Sequence, residues 1–287
     1  MVKFYSCNYS YDYGFSAVSL AYFLRYPNPY ASHVISTDVL DRHFDPTTNT
    51  ICTSRLHLKQ SKLPTAVLRL LPHSWLNTTD GKTTQSFILE RSVVDIKHGV
   101  MMTESRNLDF QGVLQVVERQ LYKRPSTDLG RWWQETWRPR KGYGLASAVV
   151  PERAGPGAAL EHDAITTEVY TKVELLSRFG EGRKRLFSRA KTGGEAEEES
   201  APPKAGFFAS LGKGPIQRSI EAVGFRRTER AVPNSQKGMN TVLERLRSGG
   251  LIAVLEGMRQ DREIAFAGGG PLSRNPSEED ANSTDIY

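Results

Sequence analysis

Two cysteines in 287 residues, Cys7 and Cys52, exclude a disulfide framework and cannot alone complete a zinc site. Both fall in segments predicted as strands, where a free cysteine usually packs as a small hydrophobe. A bond between them would require those strands to be neighbours, which spacing does not establish. Long apolar runs are also missing: residues 14–24 and 249–255 fall well short of the roughly 20 a membrane-spanning helix needs. Residues 2–13 are polar and alternating, neither the apolar heart of a secretory signal nor an Arg- and Ser-rich leader, so no cleavable address is expected. There is no glycine-rich phosphate loop and no HExxH; Gly268-Gly269-Gly270 lies in a polar tail with no strand before it. His43 and His57 lie on predicted strands without a serine elbow. The expectation is a non-enzyme with no metal site and no cofactor.

What is present is basic. Lys and Arg total 38 against 32 Asp and Glu, a formal charge of +6, which favours anionic surfaces. Residues 180–189 are basic but lack the interleaved aromatics of a nucleic-acid platform, so no nucleic-acid partner is expected. Hydrophobic residues make up 38% of the chain, enough for one substantial core but not for every stretch to join it.

Periodicity supplies the elements. Residues 2–10 alternate as a strand, and Phe15, Val18 and Tyr22 then recur at helical spacing until Tyr26-Pro27-Asn28-Pro29 stops the helix. Residues 33–44 and 51–60 read as a hairpin across Asp45-Pro46-Thr47-Thr48-Asn49; 86–96 and 100–109 read as a second around Lys97-His98-Gly99. Residues 113–123 and 165–178 look like two more strands. A helix is predicted from about 207–216 to 247, interrupted at Pro233, with Ile216, Ile220 and Val223, then Met239, Val242, Leu243 and Leu246, on one face. Residues 124–163 and 188–206 read as low-complexity inserts. Strands in unbroken sequence pair antiparallel, so the class is α+β: about seven strands with a long C-terminal helix over one face, able to leave an apolar cavity. The domain is placed at 1–248, followed by a low-complexity, disordered tail at 249–287.

Arg25-Tyr26-Pro27-Asn28-Pro29-Tyr30 followed by His33-Val34 closely resembles the N-terminal motif of PRELI-like proteins. Thr53-Ser54-Arg55-Leu56, Lys62-Leu63-Pro64-Thr65, Glu90-Arg91-Ser92-Val93-Val94-Asp95, Ser105-Arg106-Asn107-Leu108-Asp109 and Lys237-Gly238-Met239 follow in the family's order. The chain departs from the family at Ala66, where a tryptophan is usual, at Val223 and Thr228, where aromatics are usual, at Pro233, and at Asn234, where a lysine is usual. The resemblance implies a helix-grip (START-like) fold: a curved antiparallel sheet wrapped on the C-terminal helix, with a lipid tunnel and a lid. It also implies residence in the mitochondrial intermembrane space, peripheral contact with anionic mitochondrial membranes, and a small twin-cysteine-motif helical partner. The Arg-Tyr-Pro-Asn-Pro-Tyr form implies phosphatidic acid as cargo, delivered from outer to inner membrane for cardiolipin synthesis. The alternative is a scaffold or regulator that keeps the fold without transfer.

Phosphatidic acid presents a phosphomonoester of between about one and two negative charges, best met by charge-assisted donors in a partly dry pocket. The candidate headgroup residues are Arg25, His33, Arg55, Lys59, Lys62, Arg227 and Asn234. Arg25 ends the first helix, where an arginine also commonly satisfies terminal carbonyls. His33 would donate when protonated. Arg55 alternates in phase with Lys59 and should share its face. Lys59 and Lys62 bracket the start of the lid, whose candidate residues are Leu63, Pro64, Val67, Leu68, Leu70 and Leu71; the plainer alternative there is a short core-packed helix.

Overall fold

The structure is a computed structural model that describes residues 2–62, 83–125, 166–177 and 213–267. The lid at 63–72, almost all of the inserts 124–163 and 188–206, and residues 268–287 lie outside the described residues, as does the side chain of Lys62. Seven strands form one sheet: β1 (Val2–Tyr11), β2 (Val34–Asp45), β3 (Thr50–Lys62), β4 (Thr83–Asp95), β5 (Val100–Asn107), β6 (Gln115–Lys123) and β7 (Thr167–Leu176). Their order is β1-β7-β6-β5-β4-β3-β2, and every neighbouring pair is antiparallel. Consecutive strands from β2 to β7 are neighbours, as sequential strands usually are, even though residues 63–82 separate β3 from β4 and residues 124–166 separate β6 from β7. Two register shifts in β2, at Val34/Ser36 and Val39/Asp41, insert the extra residues that bend an edge strand. With the long C-terminal helix packed on α1, β1 and β7, this is the α+β helix-grip architecture expected from the sequence.

Helix α1 (Phe15–Phe23) buries Phe15, Val18, Ala21 and Tyr22, the stripe its spacing predicted. These side chains meet Tyr11, Val94, Met101, Tyr122 and Val169 from the sheet and Met239, Val242 and Leu243 from the C-terminal helix to make the core. Cys7 and Cys52 are free. They stand on β1 and β3, five strand spacings or roughly 24 Å apart, so no bond can join them.

The C-terminal helix α2 (Lys213–Ala267) corrects two expectations. It does not break at Pro233; the only non-helical residues within it are Gly249 and Gly250. Nor does order end at 248, because residues 251–267 form a second limb that folds back. Arg245 and Asp261 would lie about 24 Å apart along a straight helix, yet Arg245 bonds both carboxylate oxygens of Asp261, at 2.6 and 3.2 Å. Gly250 makes the reversal possible with φ +63°, a left-handed conformation open to glycine. Val254 then enters the core and Met258 packs against it. The apolar run at residues 249–255 is too short to mark a helical limb by itself, and its role shows only once Val254 and Met258 dock.

Candidate functional site

Strand register arranges the inner face of the sheet in rows. The row Tyr9, Val169, Tyr122, Met101, Val94 and Ile51 is apolar and lies at the end packed by α1 and α2. Two residues along, about 6.7 Å away, Thr171, Gln120, Thr103, Ser92 and Thr53 form a buried, uncharged polar row. Two further along, Glu118, Ser105, Glu90 and Arg55 stand side by side on β6, β5, β4 and β3. Polarity thus rises stepwise from the packed end to the candidate site.

The charged row is completed by the end of α1. Arg25 reaches across to ion-pair with Glu90, and Arg55 bonds the other carboxylate oxygen of Glu90 through Nε at 2.8 Å and a terminal nitrogen at 2.5 Å. All three side chains are buried. Burial opposes the Glu90 charge, but the two guanidinium groups outweigh it and hold the carboxyl well below its usual range. Arg25 also donates to the Tyr22 carbonyl at 2.8 Å, the helix-end role that was its plainer alternative. Its guanidinium carbon lies 3.7 Å from the Tyr22 ring centroid and 4.6 Å from that of Tyr26. His57 is buried, with Nδ1 2.9 Å from Thr37 Oγ1; its Nε2 is 3.3 Å from Glu90 but out of line for a hydrogen bond. Burial pushes the His57 pKa down, so the imidazole is neutral at pH 7.

The proline motif after α1 owes its form to this placement. Asn28 donates to the Arg25 carbonyl at 2.5 Å and accepts from the Tyr30 amide at 2.9 Å, pinning the chain into a short 3-10 turn at Pro29–Ala31. Its amide rests on Gly238 of α2, where a β-carbon would fall 2.7 Å from Asn28 Oδ1. Two motifs some two hundred residues apart in sequence are therefore one packing contact.

Arg25, Tyr26, His57, Lys59, Glu90 and Glu118, with Ser105, Gln120 and Ser235, enclose a polar cavity of about 30 Å³, room for one water. Two of its charged groups stand apart. Among the described residues Lys59 has no ion pair, and Glu118 has only a neutral bond from Gln120 Nε2 at 2.9 Å. Burial raises the Glu118 pKa, Glu90 adds to the rise, and Lys59 and Arg25 offset part of it. Burial would raise Tyr26 too, but Arg25 and Lys59 outweigh it and lower that pKa. Tyr26 separates this cavity from a larger, mainly apolar one of about 430 Å³ between β2, β3 and the second limb of α2, lined by Phe23, Val34, Ile35, Val39 and Met258 among others.

Of the candidate headgroup residues, the structure brings Arg25 and Lys59 to the polar cavity and places Arg55 behind it, on the inner face with Lys59 as the alternation predicted. His33 lies next to that wall. Burial, reinforced by Lys59, lowers its pKa to about 4, so it is neutral at pH 7 rather than the protonated donor expected. Arg227 is exposed on α2 with its pKa lowered by its surroundings, and Asn234 is half-buried; neither lines the cavity, whereas Ser235, one residue on, does. Glu90, Glu118, Tyr26 and Ser235 were not singled out from sequence as site residues. The available signal was phase: Glu90 falls with Ile88 and Val94, and Glu118 with Val116 and Tyr122, so each is a carboxylate on the inward parity of its strand.

Residues 16–136 match the sequence model of the PRELI-like family. The Saccharomyces cerevisiae protein named "Protein UPS1, mitochondrial" is 37% identical over 123 residues, 43% of this chain and 65% of that protein. The Schizosaccharomyces pombe protein named "Protein ups1 homolog" is 34% identical over 146 residues, 51% of this chain and 74% of its own. The Mus musculus protein named "PRELI domain-containing protein 1, mitochondrial" is 29% identical over 152 residues, 52% and 66% of the two chains. The chain thus spans a little under two thirds of the first of these relatives and about three quarters of the second. With this identity, and with its proline motif, buried arginine pair and C-terminal helix in one contiguous site, the chain belongs to the PRELI-like family.

Proposed function

We propose that this chain is a phospholipid carrier that moves phosphatidic acid from the outer to the inner mitochondrial membrane, through the intermembrane space, to supply cardiolipin synthesis. The observation that carries this reading is the polar cavity under the curved sheet, where Lys59 forms no ion pair among the described residues and Arg25 lines the same space. A phosphomonoester supplies such a partner, and its oxygens accept from several donors at once. Arg25 and Arg55 act mainly by fixing Glu90, Tyr22 and Tyr26 as a rigid wall, so Lys59 is the direct contact; His33, Arg227 and Asn234 belong to the rim, and Lys62, whose side chain lies outside the described residues, is a headgroup candidate from the family resemblance alone. The larger apolar cavity across Tyr26 gives acyl chains a place to lie. The family resemblance assigns Leu63, Pro64, Val67, Leu68, Leu70 and Leu71, which lie outside the described residues, to a lid that would open at the membrane. The mitochondrial relatives support the location, and a small twin-cysteine-motif helical protein is the expected partner. Transfer breaks no covalent bond, so the reading calls for no catalytic residue and no cofactor.

A second reading, a PRELI-like scaffold without transfer, draws on one observation: Glu90 already neutralises two of the expected headgroup cations. Transfer of fluorescent phosphatidic acid between donor and acceptor liposomes by the purified full chain, alone and with its helical partner, separates the two. Carrier function requires transfer well above the protein-free rate; transfer at that rate with partner binding intact favours the scaffold.

A further inference from the structure

Glu118 is the one carboxylate of the polar cavity with no cation within ion-pairing distance among the described residues. Its partner is Gln120, whose amide donates to Oε1 at 2.9 Å while its carbonyl accepts from Tyr122 at 2.7 Å. The network along β6 therefore fixes the carboxyl group and, among the described residues, leaves Oε2 without a hydrogen-bond partner. Lys59 lines the same cavity from β3, two strands beyond Ser105, and forms no ion pair among the described residues. The remaining surroundings are accounted for. On β4 Glu90 is committed to Arg25 and Arg55; on β3 His57 is neutral; on β7 the neighbour is Val173; on β1 they are Tyr5, Cys7 and Tyr9, whose pKa values burial raises so that they stay uncharged; and α2 presents uncharged Ser235.

An ionised Glu118 facing this space would repel a phosphate bound to Lys59, whereas the neutral acid is a donor. Accordingly, and resting on the phosphatidic acid reading, we propose that Glu118 is a headgroup-binding residue that acts in its protonated form: its carboxyl O–H donates to a phosphate oxygen opposite Lys59, so each cargo molecule is taken up together with a proton. The rise in its pKa on burial already leans toward that state, and a bound phosphate increases the rise. Cargo is then held more tightly as pH falls and released as it rises. The cavity as it stands has room for one water, so one phosphate oxygen at a time fits between Glu118 and Lys59.

The test is equilibrium extraction of fluorescent phosphatidic acid from phosphatidylcholine vesicles by the full chain, from pH 5 to 8, for the protein as found, Glu118→Gln and Glu118→Asp. The phosphate's own titration is common to all three, so the difference between curves isolates residue 118. Glutamine stays a neutral donor, so Glu118→Gln should extract about as well at pH 5 and on the order of tenfold better at pH 8, flattening the profile. Glu118→Asp should bind more weakly yet keep the pH dependence; this second variant, with circular dichroism of both, distinguishes lost function from lost fold. Parallel curves, or uniformly weaker extraction by a folded Glu118→Gln protein, would overturn the proposal. So would preferential extraction of an amino-headgroup lipid that vanishes in Glu118→Gln, which would mean the carboxylate works ionised. No extraction of phosphatidic acid at any pH by the unsubstituted chain overturns the carrier reading and this proposal together.

Discussion

The Arg25 guanidinium lies over the Tyr22 ring, its carbon 3.7 Å from the ring centroid, and this contact makes the arginine part of the interior rather than a free surface cation. Both residues are buried, and the Glu90 carboxylate meets the edge of the guanidinium. The cluster anchors α1 to β3 and β4.

Its energetic weight is testable at Glu90. Replacing Glu90 with Gln leaves two buried arginines without their counter-charge, and breaking a buried pair in this way costs about 3–5 kcal/mol. Urea denaturation should show a loss of that order. Arg25→Glu should destabilise as well, because it sets a second carboxylate against Glu90, so loss of transfer in that variant would not by itself identify a headgroup contact. Stability unchanged in Glu90→Gln would mean the cluster is solvated in solution.

Lys59 gives the cleaner functional probe. It is half-buried and forms no ion pair among the described residues, so Lys59→Met should change stability by less than about 1 kcal/mol. A charged hydrogen bond to phosphate is worth about 1.5–3 kcal/mol, which predicts at least a tenfold loss in phosphatidic acid extraction. Undiminished extraction would remove Lys59 from the site.

His33 should make stability depend on pH. Its pKa is about 4 in the fold against 6.5 unperturbed, so between those values the unfolded chain binds more protons. Stability is then full above pH 6.5 and declines as pH falls toward about 4. Glu90 acts with the same sign in a lower window: its depressed pKa adds stability above pH 4.5 that is lost only as pH falls below that value. Denaturation of the protein and of His33→Gln from pH 5 to 7 should therefore show a flatter profile for the variant. Identical slopes would mean His33 is solvated.

Gly238 and Asn28 provide a packing test. An alanine at 238 gains about 1 kcal/mol of helix propensity, but its methyl group meets the Asn28 amide at 2.7–2.9 Å. Overpacking of this kind costs about 1–3 kcal/mol, so Gly238→Ala should be neutral to destabilising instead of stabilising as at an open helix position. Adding Asn28→Ala should make the double variant more stable than the two single changes sum to. Simple additivity would show that the two residues do not press on each other.

Much of this architecture is legible in local pattern. Alternation located the strands, and the turn residues placed the hairpins; Asp45 accepts from the Thr47 amide at 2.9 Å and Gly99 adopts φ +64° in the two turns read from sequence. Helical spacing found the buried stripe of α1, and the proline motif marked the end of that helix. The site was legible only in outline. Arg25, Arg55 and Lys59 stand out as cations in a recognisable segment, but whether a cation meets cargo or a counter-charge depends on residues distant in sequence. The same holds for the second limb of α2, whose place beside the first is fixed by Arg245 and Asp261, sixteen residues apart in sequence.

By itself, then, the sequence determined the element types, their antiparallel order and the basic character of one segment, because backbone propensity and side-chain alternation act over a few residues. Only the tertiary structure decided which charges remain available. Register sets Glu90 opposite Arg55 and carries Arg25 to the same carboxylate, leaving Lys59 and Glu118 facing one another across a small cavity. The physical reason is that Coulomb and desolvation energies depend on distance and burial through space, and neither can be read from separation along the chain.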